Sequence, residues 1–456
     1  MDEPPLPHPY PVMNYPTHPL ENPLETPCDS PVKHRAIDPW REAKTQPARE
    51  LVNRVFTSVL DHESRSAPRK RARKKQDELI LYRQVDMTIS NLATQCLSGD
   101  TLPLRVSRSN RVLGATDQYS RGQCFSTAYP RVLDALGAPE IGLLSLTVGE
   151  PYHRSQRPLN QSSIAPTERF ISLLDAHGIG IDDFTRNFQG EPIVLKSEKH
   201  RDLFTGEASS EKLQYKDTSE TRRLRREMNE INSWFYQADL NFDESLSEKF
   251  VDISMVQLRR IFNNGSFKDG GRLYGGFWQR LSKEQRAKGL SINGSDTVSL
   301  DYGQIAPRIL YAMVGVVPDF VDAYALPGLD PDMWRPIIKK VCSSMLFKAK
   351  DPKKIPEDIR KKWPDPLVRI ETLVDMIKKH HRPVAHLFCK EVGFQVFRKE
   401  SDIMVDLLLN LKSQGIVGLP VHDCVIVAKE HEAYARGAMQ GAFRKHLGFD
   451  PVVERE

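Results

Sequence analysis

The sequence predicts an α+β fold: an antiparallel sheet flanked by helices, preceded by a small helix-and-strand domain and a disordered, proline-rich tail. Three stretches predict it. Residues 297–300 form an apolar β-type run that ends on Asp301, and a helical pattern follows, with Ile305, Ile309, Ala312 and Met313 on one face. Gly418-Leu-Pro-Val-His-Asp-Cys-Val-Ile-Val427 reads as two apolar strands joined at His422-Asp423, the pattern of a β-hairpin. Residues 217–242 carry Leu224, Met228, Ile231 and Phe235 at helical spacing, with Arg222, Arg223, Arg225 and Arg226 on the other faces.

Composition bounds the rest. A chain of 456 residues corresponds to about two to three domains. It is 39% hydrophobic and 27% charged, and its formal net charge of +5 is too small to identify a partner, so local charge clusters must do so. Six scattered cysteines without a Cys-x-x-Cys pair argue against a zinc ribbon or a disulfide framework and fit a reducing compartment. No long apolar run and no signal peptide is read, so the expectation is no membrane partner and a cytoplasmic, nucleoid-associated location.

The elements follow in chain order. Residues 1–47 are dense in proline from Pro4 to Pro31, which favours extended, solvated chain. The tail is either without a partner or recruits a protein through its proline-rich segment. Residues 48–78 hold a helix marked by Leu51, Val52, Val55, Phe56, Val59 and Leu60, then Arg69-Lys-Arg-Ala-Arg-Lys-Lys75. That tract is a phosphate-contacting arm or a solvated linker. In residues 79–200, helices are expected at 79–97, 128–136 and 166–177, the last capped by Thr167, with a strand at 141–148 and a basic loop at 149–158. Helix, strand and basic loop read as a winged-helix-like nucleic-acid-binding domain, or as a plain α/β scaffold. In the first reading Arg121, Tyr129 and Arg131 lie near a groove-entering helix, and His153, Arg154 and Arg157 sit on the wing. Residues 201–262 are a basic helical region, and 263–456 form the last domain.

Chemistry concentrates in that last domain. Asp301 and Asp423, on adjacent strands, would share two Mg²⁺ ions, with Mn²⁺ as an alternative, the apparatus of in-line phosphoryl transfer. The Tyr302 carbonyl is an extra candidate ligand. The plainer reading makes Asp301 the cap of the helix that follows. Arg335 and Lys339 are four apart, so one helix face presents both to a triphosphate and to the leaving pyrophosphate, or to solvent. Pro336 fits a helix that starts at Trp334 or Arg335. Phe347 would stack on a base or join the core.

The motifs together are similar to those of a known family. Asp301-Tyr-Gly-Gln-Ile-Ala-Pro-Arg308 resembles motif A of family A DNA polymerases, the polymerase I type, and Val421-His-Asp423 resembles their motif C. Arg335, Lys339 and Phe347 are in register with motif B, the fingers helix. Gly271-Arg-Leu273, Trp278-Gln279 and Arg286 resemble the segments before motif A. The resemblance implies a palm with an antiparallel sheet, helical fingers and thumb (the thumb at 201–262, the palm and short fingers at 263–456). It implies that Arg272 and Gln279 contact nucleic acid, and that His422 lies near the primer terminus. Departures are informative. Ala306 stands where the family has Glu, Ser343 where it has Phe, Phe347 where it has Tyr, Lys348 where it has Gly, and Cys424 where it has Glu. The first bears on sugar selection, and single-subunit phage RNA polymerases also carry a small residue there. No counterpart of the family's conserved helix Gln is clear near Gln395.

Only 122 positions separate Asp301 from Asp423, so the fingers are short. The N-terminal half is read as lacking an Asp-x-Glu exonuclease pattern. The expected function is a DNA-dependent DNA polymerase acting on primer, template and nucleoside triphosphates. The alternatives are a primase or RNA-polymerising enzyme, and a DNA-binding initiator or regulator with an inert palm.

Overall fold

Six strands, every pairing antiparallel, form the sheet that underlies the C-terminal half. The computed structural model describes residues 34–120, 123–149, 162–201 and 208–456, a mixed α+β chain with several sheets. The central strand, Ser295–Gly303, pairs with Cys424–Ala428 on one side and with Leu290–Ile292 and Val452–Arg455 on the other. Leu419–Val421 completes the expected hairpin against Cys424–Ala428. Its turn is His422-Asp423, with His422 at φ +59°, the left-handed backbone that two-residue hairpins demand.

Apolar sides of this sheet and its helices make one core. Val298, Leu300, Val425 and Val427 are buried, as are Leu224, Met228, Ile231 and Phe235 of the helix Ser219–Gln237, whose apolar stripe was legible from spacing alone. The helix Gly393–Ser413 lies along the long strand Ser266–Tyr274. Trp278 is fully buried against Phe235 and Phe277, and its indole N–H donates to the Pro420 carbonyl at 3.0 Å. It therefore ties the hairpin strand, and with it Asp423, to the rest of the core. Trp278→Ala should cost about 3–5 kcal/mol of stability, read as a lower urea midpoint with little change in slope.

A second core runs from Ala43 to Phe184. It packs Gln46–Ser66 and Lys75–Leu97 with Tyr129–Gly137, Glu168–Ala176 and a four-stranded sheet of short strands, Arg35–Ala36, Leu104–Arg105, Ser163–Pro166 and Leu144–Thr147 in spatial order. Two expectations change here. The chain is folded from before residue 47: Trp40 and Ala43 are buried, and Arg41 forms a buried ion pair with Asp252 of the C-terminal half. The first helix belongs to the same core as the domain expected to start at 79, because Leu51, Val52, Val55 and Val59 need an apolar partner surface. Thr167 does cap its helix, accepting from the Phe170 N–H. Tyr129 is fully buried with its hydroxyl 3.1 Å from that of Thr88, so it faces the core rather than a groove. Arg121, His153, Arg154, Arg157 and residues 1–33 of the tail lie outside the described residues.

Contrary to expectation, the N-terminal half does contain an Asp-x-Glu match. Asp61-His62-Glu63 has the Asp-x-Glu spacing, but it sits in the helix Gln46–Ser66. There Glu63 is engaged by Arg69 and Arg73, and His62 by Glu140. These partners leave no open pair of acids.

Candidate active site

The sheet brings Asp301 and Asp423 side by side. Asp301 pairs in register with Cys424, the residue after Asp423, and the Tyr302 N–H donates to the Asp423 carbonyl at 3.2 Å. Asp301 is therefore not a helix cap. It lies within the strand, and the cap of Ile305–Met313 is Gln304, held at φ +60°. Both carboxylates are half-buried, and among the described residues neither has a hydrogen-bond or ion-pair partner. Burial, then the charges of Asp423, Glu456 and Glu454, push Asp301 up to about 7, with Lys339 opposing them. Half-buried carboxylates left without a donor suit a divalent cation, whose charge relieves their repulsion. Among the described residues, no three His, Cys, Asp or Glu side chains already converge as a closed cage.

Sign follows from that shift. Folded Asp301 holds its proton to higher pH than the unfolded chain, so stability present below pH 4 is lost as pH rises toward 7. In chelator at pH 8, Asp301→Asn should raise the unfolding free energy by about 1–2 kcal/mol after solvent screening is allowed for. Thermal scans should show the gain shrinking toward pH 4 and on addition of divalent cation.

The helix that carries Arg335 and Lys339 starts earlier than its sequence implies. It spans Pro331–Leu346, capped by Asp330, whose carboxylate accepts from the Asp332 N–H, with Pro336 inside it. Arg335 donates from Nε to Asp322 at 2.6 Å, and its guanidinium lies 5.7 Å from the Tyr324 ring centre. Asp322 holds Arg335 above its usual range. Lys339, a turn on, is exposed and close enough to Asp301 to oppose its upward shift. Phe347 follows the helix and packs on Phe394 and Phe397, with ring centres 5.4 and 5.1 Å away. A Cβ added at Gly393 would lie 2.4 Å from the Phe347 ring, so a larger residue there would displace that ring.

The Tyr302 side chain belongs to the core: its ring is buried near Phe443 and its hydroxyl donates to the Met439 carbonyl at 2.7 Å. Only its backbone remains at the site. Ala306 is half-buried in the first turn of its helix. Gln279 spends its amide on the Leu273 and Pro420 carbonyls and accepts from the Gly275 N–H, which braces the hairpin strand from below. His422 is exposed and meets Tyr274 edge-on at 5.7 Å. Partial desolvation by its neighbours, then the Arg272 charge, holds it below the usual imidazole range, with Asp423 opposing.

Arg272, whose charge reaches His422, is held in an unexpected way. Glu400 grips it through two 2.7 Å hydrogen bonds, and its guanidinium lies 3.4 Å from the Phe397 ring centre. Glu400 is buried, which pushes it up to about 7 even though Arg272 opposes the shift. Sequence reasoning gave Glu400 no role, because the pairing spans 128 positions. It also missed the last strand, Val452–Arg455. That strand sets Glu454 opposite Asp301 and brings Glu456 within 4.0 Å of the Cys424 sulfur. The Val-Val-Glu-Arg-Glu alternation was the available signal. Gln304 pins the following loop, donating to the Val321 carbonyl and accepting from the Ala323 N–H, and so sets Asp322 and Tyr324 against Arg335.

No family model matches the chain, and no curated protein matches it by sequence. Among solved structures it is similar to the POL domain of Pol1 from M. smegmatis, in complex with DNA primer-template and dNTP. The two are 10% identical, with a TM-score of 0.26, over 91% of this chain and 66% of that one. A score of 0.26 is too low for that likeness to bear on fold or activity. The chain's own geometry carries the reading below. No helix among the described residues is long and apolar enough to cross a membrane.

Proposed function

We propose that the chain is a template-directed nucleotidyltransferase. Within that class the reading is a DNA-dependent DNA polymerase of the family A type, extending a primed template with nucleoside triphosphates and without a proofreading exonuclease. One observation supports it above the others: two half-buried carboxylates on adjacent strands, without hydrogen-bond or ion-pair partners among the described residues, with Lys339 close to Asp301 and Arg335 one turn before it on the same helix.

Asp301 and Asp423 would hold two Mg²⁺ ions, or Mn²⁺, with the Tyr302 carbonyl as an added donor. Such ions stabilise the attacking and leaving oxygens of a phosphoryl transfer. The chain's own residues do the rest. Arg335 and Lys339 bind the triphosphate and offset charge on the departing pyrophosphate. Arg335, oriented by Asp322 through Nε, offers its terminal N–H groups to phosphate oxygens, while Tyr324 walls the same side. Glu400 holds the Arg272 fork rigid, so that its outer face can meet acceptors on the primer strand. His422 sits at the hairpin tip, next to where the primer end would lie. Gln279 acts from behind, by fixing the strand that carries His422 and Asp423. Phe347, packed on Phe394 and Phe397, flanks the base.

A second reading, a primase or RNA-polymerising enzyme, is favoured by Ala306. Its methyl group leaves room at the sugar where a longer side chain would exclude a 2′-hydroxyl. Primer extension with deoxynucleotides and ribonucleotides in separate reactions tests both. Exclusive use of deoxynucleotides removes the second reading. No addition from either set, with Mg²⁺ or Mn²⁺, overturns the class and leaves a DNA-binding initiator or regulator with an inert palm.

A further inference from the structure

Away from the acidic centre, a cleft of about 930 Å³ opens between the end of the helix Gln46–Ser66, the basic segment after it, and the helix Tyr129–Gly137. Its floor is apolar, lined by the exposed Ala67, Pro68 and Ala128 together with the buried Val59, Leu81, Val132 and Ala135. Its rim is cationic, with Arg69, Lys70, Arg71 and Arg73 on one side and Arg131 on the other. The acids nearby are engaged: Glu63 by Arg69 and Arg73, Asp134 by Arg108, and Glu140 by His62. Lys70, Arg71 and Arg131 are exposed, and among the described residues no hydrogen bond or ion pair occupies them.

Unpaired cations above an apolar floor suit an anion with an apolar body. A single nucleic-acid strand has that character: phosphates meet the rim while unstacked base faces meet the floor. A duplex keeps its bases stacked inside and would leave the floor wet. We propose that this cleft binds a single nucleic-acid strand, at a site separate from the acidic centre and independent of whether that centre is active.

The test is fluorescence anisotropy of a labelled oligothymidylate on the full chain. The variant K70Q/R71Q/R131Q should bind about tenfold more weakly near 0.1 M salt. Three lost cations should also lower the slope of log affinity against log salt by about 2, at ~0.7 per phosphate contact. The charge-keeping variant K70R/R71K/R131K should bind like wild type, and circular dichroism should be the same for all three proteins. Unchanged affinity and slope in the glutamine variant would overturn the proposal. So would equal displacement of the probe by polyglutamate, or by a free nucleoside triphosphate at matched charge, since either makes the cleft a general anion sink. Nucleotide addition at saturating primer-template should keep its wild-type rate in the glutamine variant; a fallen rate would tie these cations to the acidic centre and contradict a separate site. The binding arm needs no catalysis, so it is decided apart from the polymerase reading.

Discussion

Asp423→Asn is expected to lower the rate of nucleotide addition by at least about a thousandfold while leaving the fold and primer-template affinity in place. The exchange removes one negative charge and keeps the side chain's size. The hairpin does not depend on that charge, because its turn is fixed by His422 backbone geometry and by the Tyr302 N–H on the Asp423 carbonyl. Asp301→Asn should fall as far. The double variant should be little worse than either single one, because groups that share one task are not additive. Single-nucleotide extension at saturating substrate is the assay. A loss below tenfold in either single variant, with folding intact, would remove these residues from the chemistry.

Arg335→Ala is expected to lower kcat/KM for the incoming nucleotide by about 100- to 1,000-fold. Its guanidinium is planar and already oriented by Asp322, so it is ready to grip phosphate oxygens in pairs. Arg335→Lys should recover only part of the loss, since an ammonium cannot reproduce the fork. Lys339→Ala, which removes a point charge one turn along, should cost about 10- to 100-fold. Asp322→Asn separates positioning from chemistry: it frees Arg335 without removing it, so KM should move more than kcat. Steady-state nucleotide titrations distinguish these cases. Equal kcat/KM in wild type and Arg335→Ala would place the triphosphate elsewhere.

What the sequence disclosed divides along chain separation. Asp301 and Asp423 were legible because each sits in a short local pattern, a strand running into a helix and a two-residue hairpin. The apolar face at Leu224, Met228, Ile231 and Phe235 was legible for the same reason, since helical period is a local property. The misses are non-local. Nothing near Glu400 announces that it will clamp Arg272, nor that Gln304 will pin the loop carrying Asp322. The N-terminal boundary slipped because proline density hid Trp40 and Arg41, whose anchors lie far along the chain. The start of the helix at Pro331 slipped because Pro336 reads as a first-turn residue, whereas Asp330 caps the helix a turn earlier and the chain accepts an internal proline.

The C-terminal strand adds to the electrostatics of the centre. Glu454 faces Asp301, and its carboxylate lies over Gly303, where an added Cβ would come within 3.1 Å of it. Acidic charge thus surrounds Asp301 from both neighbouring strands, and Lys339 opposes it from the helix. Such a balance favours an added cation over an added proton once pH exceeds about 7.

Binding of Mn²⁺, followed by the loss of its free electron paramagnetic resonance signal at pH 8 in the absence of nucleotide and nucleic acid, tests that centre without calling on catalysis. The account predicts saturable uptake by the wild-type chain that weakens at least about tenfold in Asp301→Asn and again in Asp423→Asn. Uptake of equal strength in the chain lacking both carboxylates would contradict it.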